Sequence, residues 1–417
     1  MKILRLTSAV EKRLLAARER RDVQAEKVAA KIIADVRRRG DAALCSWTKK
    51  LDGIDLTRAG MWVSQREIEE AQQSVSADVL RAAKHAIANV RKVTEKQLPR
   101  NWSMEVEPGV SIGQIVRPIE TVGCYIPGGK ATLLSTLVMT AVPAQVAGTN
   151  RIVLVCSRPN KELLATAGLL GLGEVARIGG AQAIAALAYG TETIPRVEKI
   201  VGPGNRFVTT AKQLVSHDCA IDLPAGPTEA IVLASRGTPS WIAADLLAQA
   251  EHAQDAASLL VTTSARLAGA VQREVAEQLK KLPEANPAGI SLKKRGVILL
   301  AASSDEAFEF VNRFAPEHLS LPEGRALALQ KVSAAGTIFV GPWAAQPLGD
   351  YASGSNHVLP TGGWARRRGG LSAADFVKCI SVQTISRKGF WRLAGDVRVL
   401  ARAENLFAHE NAVAVRE

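Results

Sequence analysis

From residue 109 onward, short apolar runs rich in β-branched residues alternate with segments of helical character. "RIVLVC" and "AIVLAS" are continuous apolar runs of strand length, and "ELLATAGLLGL" and "AQAIAALAYG" lie between them. The alternation resumes after Ser240 with "SLLVTT", "GVILLA" and "GTIFVG". Strands that are apolar throughout are typical of a parallel sheet covered by helices on both faces. The sequence therefore predicts an α/β fold of two doubly wound, Rossmann-like lobes with predominantly parallel sheets.

The chain length sets the expected domain organisation. With 417 residues the chain exceeds what one hydrophobic core supports. We expect a helical N-terminal segment, a first Rossmann-like lobe in two pieces, a second lobe inserted between them, and a helical tail. The tail is too short for a core of its own, so it would pack on the body or on a partner subunit. The predicted ranges, in that order, are 1–20, 21–119 with 230–370, 120–229, and 371–417.

Composition disfavours several classes of protein. Five cysteines without a CxxC pair argue against a disulfide framework and for a reducing compartment. The basic start lacks a signal-peptide core and no apolar run could span a bilayer, so we expect a cytoplasmic protein without a membrane partner. The net charge of +13 raises nucleic acid as a partner. That charge is scattered and aromatic residues are only 4%, so we expect no nucleic-acid binding.

Three glycine-containing turns precede helical runs. "CYIPGGKAT" places Tyr125 before a Pro127-Gly128-Gly129 turn, "IGGAQAIAA" places Gln182 at a helix start, and "VGPGNRFVTTAK" does the same with Asn205. Such turns let backbone N–H groups approach a phosphate at the positive end of a helix. None is a GxGxxG, and each alone is compatible with an ordinary tight turn. Three at successive strand ends indicate a nucleotide cleft.

Two polar pairs stand in otherwise apolar surroundings. In "LLAQAEH", Gln249 and His252 are three residues apart and share one helix face near the helix end. In "APEHL", Glu317 directly precedes His318. A carboxylate beside an imidazole allows one group to activate water while the other moves protons. Each histidine taken singly is also compatible with a hydrogen-bonded structural residue.

Two further histidines lie in polar segments near the C-terminus. His357 belongs to "GDYASGSNHVLPTGG", which contains Asp350, and His409 follows Glu404 in "AENLFAHENA". A mixed set of glutamine, histidine and aspartate donors suits Zn²⁺, with Mn²⁺ or Co²⁺ as alternatives. The remaining histidines lack such context and are predicted to be structural: His85 and His217.

Several blocks carry a resemblance to a known family. They include "VGCYIPGG", "RIGGAQAIAALAYGTETIPRVEKIVGPGN", "IDLPAGPTEAIVLA", "ADLLAQAEH", "APEHL" and "GDYASGSNHVLPT". With these blocks in order, the chain resembles histidinol dehydrogenases over essentially its whole length. The resemblance implies two successive NAD-dependent oxidations, from L-histidinol through the aldehyde to L-histidine, as the last step of histidine biosynthesis. It also implies a homodimer whose sites are shared between subunits through the C-terminal tails.

The resemblance also assigns roles to residues. Glu317 is similar to the base that activates water for the second oxidation, and His318 to the proton shuttle of both oxidations. In the second lobe, the implied NAD contacts are Tyr125, Gln182 and Asn205. In the first lobe and the tail, the implied zinc ligands are Gln249, His252, Asp350 and His409. The implied substrate contacts are those four ligands with Thr228, His318, His357 and Glu404.

The chain departs from the family pattern at three places. Thr228 replaces a serine, Phe207 stands where tyrosine is common, and "WARRRGG" is an unusually basic loop at residues 366–368. These departures leave open a family paralogue that oxidises a different small alcohol. A zinc hydrolase, in which Glu317 activates a metal-bound water, is a remote alternative because it leaves the three glycine turns unexplained.

Overall fold

The computed structural model describes residues 1–18, 22–128, 132–223, 226–324 and 326–417. Gly129 of the predicted turn and the predicted boundary between residues 20 and 21 lie outside these ranges. The strands are β1 (Lys2–Arg5), β2 (Trp102–Glu107), β3 (Val110–Pro118), β4 (Thr121–Tyr125), β5 (Arg151–Val155), β6 (Val175–Ala176), β7 (Lys199–Val201), β8 (Ala220–Ile221), β9 (Glu229–Leu233), β10 (Ala257–Thr262), β11 (Gly296–Leu300), β12 (His318–Leu321), β13 (Thr337–Val340) and β14 (Val377–Ile385).

Helices flank these strands throughout. They are α1 (Ser8–Ala16), α2 (Val23–Arg39), α3 (Asp41–Asp52), α4 (Leu56–Ala59), α5 (Gln65–Ser74), α6 (Ala77–Gln97), α7 (Leu134–Ala147), α8 (Lys161–Leu169), α9 (Gly180–Tyr189), α10 (Arg206–Val215), α11 (Pro239–Ala250), α12 (Ala265–Leu279), α13 (Ala288–Arg295), α14 (Ser304–Phe314), α15 (Ala326–Gln330), α16 (Gln346–Tyr351), α17 (Arg387–Ala403) and α18 (Phe407–Ala414). Among the described residues, no helix combines the length and apolar character needed to cross a bilayer.

A six-stranded parallel sheet has the order β1-β11-β10-β9-β12-β13. Side chains alternate between its two faces, as the pleat of a strand requires. Ile231 and Leu259 pack on one face with Phe310 of α14, whereas Val232 and Leu260 pack on the other face with α11 and α12. Both faces are therefore buried, which explains the continuous apolar runs in the sequence.

A five-stranded parallel sheet has the order β6-β5-β4-β7-β8 and the same layered construction. Cys124 and Leu154 face α5, α6, α7 and α8. Val153 and Ile200 face α2, α3, α9 and α10. The two parallel, helix-covered sheets confirm the predicted α/β fold class.

Other features differ from the prediction. Residues 1–20 were predicted to be helical, but Lys2–Arg5 form β1 at the edge of the six-stranded sheet, a strand too short to show periodicity. Helices α2, α3, α5 and α6, which we grouped with residues 230–370, pack instead on the five-stranded sheet because their apolar stripes fit its two faces. The tail begins with a strand rather than a helix, since β14 pairs along β3 in a three-stranded antiparallel sheet with β2.

The chain passes from the five-stranded sheet to the six-stranded sheet between β8 and β9. The chain leaves the carboxyl end of β8 at Ile221 and enters the amino end of β9 at Glu229. The carboxyl edge of the five-stranded sheet is thereby joined to the amino edge of the six-stranded sheet.

Candidate functional site

The predicted catalytic pair lies at the amino edge of the six-stranded sheet. Glu317 immediately precedes β12 and His318 is its first residue, while Thr228 immediately precedes the neighbouring β9. Parallel pairing of β9 with β12 places these strand starts side by side. Glu317 and His318 are both buried. The sheet thus brings together side chains that are far apart in the sequence.

One oxygen of Glu317 accepts two hydrogen bonds. The Thr228 hydroxyl and the Glu229 backbone N–H, the latter at 2.9 Å, both donate to Glu317 Oε2. The other carboxylate oxygen, Oε1, takes no part in these two bonds. A buried carboxylate fixed through one oxygen keeps its remaining oxygen available as a proton acceptor.

His318 lies between two carboxylates. Its Nδ1 is 3.9 Å from Glu317 Oε2, and its Nε2 is 3.6 Å from Asp350 Oδ1. Burial opposes a charge on the imidazole, but the negative charges of Glu317 and Asp350 outweigh it, so the pKa of His318 is raised. Burial likewise opposes ionisation of Asp350, but the interaction with the nearby His318 imidazole prevails and the pKa of Asp350 is lowered. The two carboxylates therefore make it easier for the imidazole to take up and hold a proton.

Gln249 connects the end of α11 to the residues around Glu317 and His318. It is fully buried in the last turn of α11, where its Nε2 donates to Thr228 Oγ1 at 2.7 Å. Its Oε1 accepts from Gln346 Nε2 at 2.6 Å, and the same Gln346 nitrogen lies 3.4 Å from His318 Nδ1. Gln346, in α16, therefore links Gln249 with His318.

Two further histidines present defined ring nitrogens. His252 is exposed beyond the end of α11, and its Nδ1 donates to Ala248 O at 2.9 Å, because a carbonyl oxygen can only accept. Its Nε2 is left as an acceptor, the form in which histidine binds a metal. His357 Nδ1 donates to Asp350 O at 2.8 Å and its Nε2 faces Thr136 Oγ1 at 3.2 Å. Burial lowers the pKa of His357 despite the bond to Asp350.

The predicted metal ligands divide into two groups. Gln249, His252 and Asp350 lie around the amino edge of the sheet: the first two at the end of α11, and Asp350 in α16 with Gln346, which is bonded to Gln249. Within the described ranges, no group of three or more His, Cys, Asp and Glu side chains is placed to hold a metal ion by itself. An amide oxygen, an imidazole nitrogen and a carboxylate nevertheless form a donor set that fits zinc with positions left open.

The predicted tail residues lie outside this network. Glu404 and His409 are exposed near the end of α17 and in α18. Among the described residues, no hydrogen bond or ion pair joins either side chain to the site; the neighbouring Glu410 pairs with Arg402 instead. The chain alone brings Gln249, His252 and Asp350 to the site but not His409 or Glu404.

The predicted NAD contacts lie at the carboxyl edge of the five-stranded sheet. Tyr125 ends β4, and its hydroxyl accepts from the Gly180 N–H at 3.1 Å. Gln182 lies in the first turn of α9 and donates to Asp52 Oδ2 at 3.1 Å. Its Oε1 is buried without a hydrogen-bond partner, an orphaned acceptor that a bound ligand could satisfy. Asn205 caps α10 by accepting from the Phe207 and Val208 N–H groups, which gives it a structural role as well.

Glycine makes the close approaches at this edge. Gly202 has φ 115°, and a Cβ there would lie 2.1 Å from Tyr125 O. Gly180 has φ 65°, and a Cβ there would lie 2.5 Å from Gln182 Oε1. Both positions therefore require a residue without a Cβ, so that the backbone can pass close to Tyr125 and Gln182.

Some residues of the site were not predicted from the sequence. One is Gln346, which links Gln249 with His318. Its position four residues before Asp350, on the same helix, could have identified it as a neighbour of that carboxylate. Glu229 and Arg18 form a buried ion pair beneath Glu317. The sequence contains no local pattern that would predict the role of Arg18, because its partner Glu229 is 211 residues away in the chain.

Comparison with known proteins adds an independent result. A family model described as histidinol dehydrogenase matches residues 15–417. A histidinol dehydrogenase of Methanothermobacter thermautotrophicus is 46% identical over 91% of this chain and 90% of its own. One from Geobacter sulfurreducens is 44% identical over 97% and 96%. The crystal structure of histidinol dehydrogenase from Elizabethkingia anophelis matches with a TM-score of 0.94 and 37% identity, over 100% of this chain and 98% of that one.

Proposed function

The chain belongs to the histidinol dehydrogenase family, and we propose that it oxidises L-histidinol to L-histidine in two NAD-dependent steps at a zinc-containing site. Family membership makes it an oxidoreductase of histidine biosynthesis that acts on a small molecule. The observation that carries the finer proposal is the placement of His318 between Glu317 and Asp350, beside the buried Gln249.

The cofactor would occupy the carboxyl edge of the five-stranded sheet. NAD, when bound, accepts one hydride in each oxidation. Tyr125, Gln182 and Asn205 would hold it, and the orphaned Gln182 Oε1 supports this assignment because a buried acceptor requires a donor. The backbone at Gly202 passes close to Tyr125. Glycine turns of this kind allow backbone N–H groups to reach a phosphate, which supports a phosphate-bearing ligand here.

The metal would be held by Gln249, His252 and Asp350, with His409 from a second copy of the chain as the fourth ligand. Zn²⁺, with Mn²⁺ or Co²⁺ as substitutes, would supply a fixed positive centre that orients the imidazole and amino groups of the substrate. The exposed His252, whose Nε2 is free to accept, supports this assignment. Thr228, His357 and Glu404 would complete the substrate contacts.

His318 moves the proton in the first oxidation. The histidinol hydroxyl would give its proton to the His318 imidazole, while a bound NAD would supply the acceptor for the carbon-bound hydride. Carboxylates on both sides stabilise the resulting imidazolium, which is the reason the pKa of His318 is raised. The aldehyde remains in the site while the proton is released.

Glu317 acts in the second oxidation. It takes a proton from water at the oxygen not held by Thr228 and Glu229, while the water oxygen forms a bond to the aldehyde carbon. The resulting hydrate anion would give its remaining hydroxyl proton to His318 and a second hydride to a bound NAD, which leaves the carboxylate. One water, two hydrides and the released protons balance the four-electron oxidation.

The tail supports a homodimer with shared sites. α17 and α18 expose a run of large apolar side chains, and His409 lies on α18. The exposed residues include Trp391, Val399, Leu400, Leu406 and Phe407. A second copy covering this face would bury them and bring His409 towards a site that lacks its fourth ligand.

Product stoichiometry with metal removal tests the proposal. The purified protein should form two NADH per histidinol consumed, and a chelator should abolish the reaction until Zn²⁺ is restored. Formation of one NADH with accumulation of the aldehyde, or full activity after the zinc has been stripped, would contradict the proposed chemistry. Activity with another alcohol and none with histidinol would identify a paralogue.

A further inference from the structure

Arg18 is a buried cation that the proposed chemistry does not use. Its side chain follows α1 and is only 7% exposed. The guanidinium carbon lies 3.7 Å from the centroid of the Phe314 ring, so the planar group packs on an aromatic face. A charged group this deeply buried requires partners of opposite charge or dipole.

The first partner of Arg18 is Glu229. The guanidinium Nε and Nη2 donate to the two carboxylate oxygens of Glu229, which is 2% exposed. Burial raises the pKa of Glu229, while the hydrogen bond and charge of Arg18 act in the opposite direction. Glu229 also accepts from the Gly362 N–H at 3.2 Å, in the segment that follows His357. Arg18 thereby fixes a carboxylate beneath the catalytic pair.

The second partner of Arg18 is the turn that leads to the catalytic pair. Arg18 Nη1 donates to the Phe314 carbonyl oxygen, the last residue of α14. Ala315 follows with φ 50°, a left-handed conformation that non-glycine residues rarely adopt. Pro316 and Glu317 come next. Contacts from the surrounding structure must hold such a turn, and Arg18 supplies one of them.

The two contacts converge on Glu317. The Glu229 N–H donates to Glu317 Oε2, so the residue that Arg18 holds by its side chain holds Glu317 by its backbone. The Phe314 contact fixes the turn by which Glu317 and His318 enter β12. The Arg18 guanidinium therefore restrains Glu317 in two ways: through the backbone N–H of Glu229 and through the turn that follows Phe314.

From this geometry we infer that Arg18 is a positioning residue that holds the Glu317–His318 pair in its reactive orientation through Glu229 and the Phe314–Ala315 turn. The inference rests on the proposed roles of Glu317 and His318. It predicts that loss of Arg18 lowers kcat more than it changes KM, because Arg18 touches neither substrate nor cofactor.

The test compares Arg18→Met and Arg18→Lys with Arg313→Met. Arg313 also joins α14 to α1, through an ion pair with Glu11, but its side chain is 48% exposed. The control thus removes a salt bridge between the same two helices without touching the buried network. We expect Arg18→Met to lower kcat by about 10- to 100-fold with KM within about twofold, as for displaced catalytic groups. Arg18→Lys keeps the charge but loses the bidentate hydrogen bond to Glu229, so its kcat should lie between those of wild type and Arg18→Met.

Hydrogen–deuterium exchange supplies a readout that does not depend on turnover. The Glu229 and Gly362 amides donate to the Glu317 and Glu229 carboxylates, respectively. They should exchange about tenfold faster in Arg18→Met than in wild type, and remain unchanged in Arg313→Met. Arg18→Lys serves for both measurements if the methionine variant does not fold.

The outcomes separate the two proposals. A kcat within twofold of wild type, a loss equal to that of Arg313→Met, or unchanged exchange at both amides would overturn the role of Arg18. A wild-type chain that forms no NADH from histidinol would count against the proposed function, while exchange at the two amides would still decide whether Arg18 holds this network.

Discussion

Glu317 and His318 are adjacent in the chain but have different surroundings. Glu317 accepts hydrogen bonds from Thr228 and Glu229, whereas His318 faces Asp350 and Gln346. Hydrogen bonds to a carboxylate restrict its orientation, and neighbouring carboxylates favour a protonated imidazole. The two side chains are therefore suited to separate tasks, water activation by one and proton shuttling by the other.

Glu317→Gln tests this division at the residue scale. The amide keeps the shape and can still accept from Thr228, but it cannot take a proton from water. Oxidation of the aldehyde should fall by about 10²- to 10⁴-fold, the usual contribution of a general base, while alcohol oxidation should fall less than about tenfold. His318→Asn, the matched variant, should depress both steps. Single-turnover rates of each half-reaction measure this, and a larger loss in the alcohol step after Glu317→Gln would reverse our assignment.

Residues of the site differ in how far the sequence could predict them. The Glu-His adjacency and the Gln249–His252 spacing are local patterns, and the structure brings Gln249, Glu317 and His318 into one network. Arg18 is joined to Glu229 across 211 residues, and no local pattern marks such a contact. Long-range ion pairs depend on strand order, which a single sequence does not specify.

At the scale of elements, glycines follow the carboxyl ends of β4 and β7, beside the predicted NAD contacts. The periodicity of the chain predicted the strands and helices around them. It did not predict β14, although "VKCISVQTI" pairs with β3 along its whole length. Most of the residues of β14 are exposed, so the strand lacks the buried apolar run that marked the parallel strands.

Gly202→Ala tests the turn after β7. A Cβ would collide with Tyr125 O, so the turn or β4 must shift and the NAD contacts with it. We expect the KM for NAD to rise by about tenfold or more, since displacements near 1 Å have effects of this size. Gly171→Ala is the control: its φ is 69°, but nothing lies within 4 Å of the added Cβ. Steady-state titration with NAD compares the variants, and equal KM values would show that the close approach is irrelevant to the cofactor.

At the scale of the whole molecule, the predicted site residues lie at two different kinds of sheet edge. Sequence rules place ligands at the carboxyl ends of parallel strands, and the predicted NAD contact Tyr125 lies at such an end. Glu317 and His318 instead lie at the amino edge of the six-stranded sheet. The sequence could predict two α/β lobes but not which helices belong to each, because the apolar stripes of α2, α3, α5 and α6 pack on the five-stranded sheet. The chain alone also leaves His409 outside the site, so the proposed centre requires a second copy.

A zinc-edge anomalous difference map from crystals of the zinc-loaded protein tests this account most directly. We predict one peak per chain, at about 2.0–2.2 Å from His252 Nε2 and an Asp350 oxygen, with Gln249 and the His409 of a second copy completing the coordination. A peak remote from His252 and Asp350, or a His409 distant from the ion in every copy, would contradict the shared metal site.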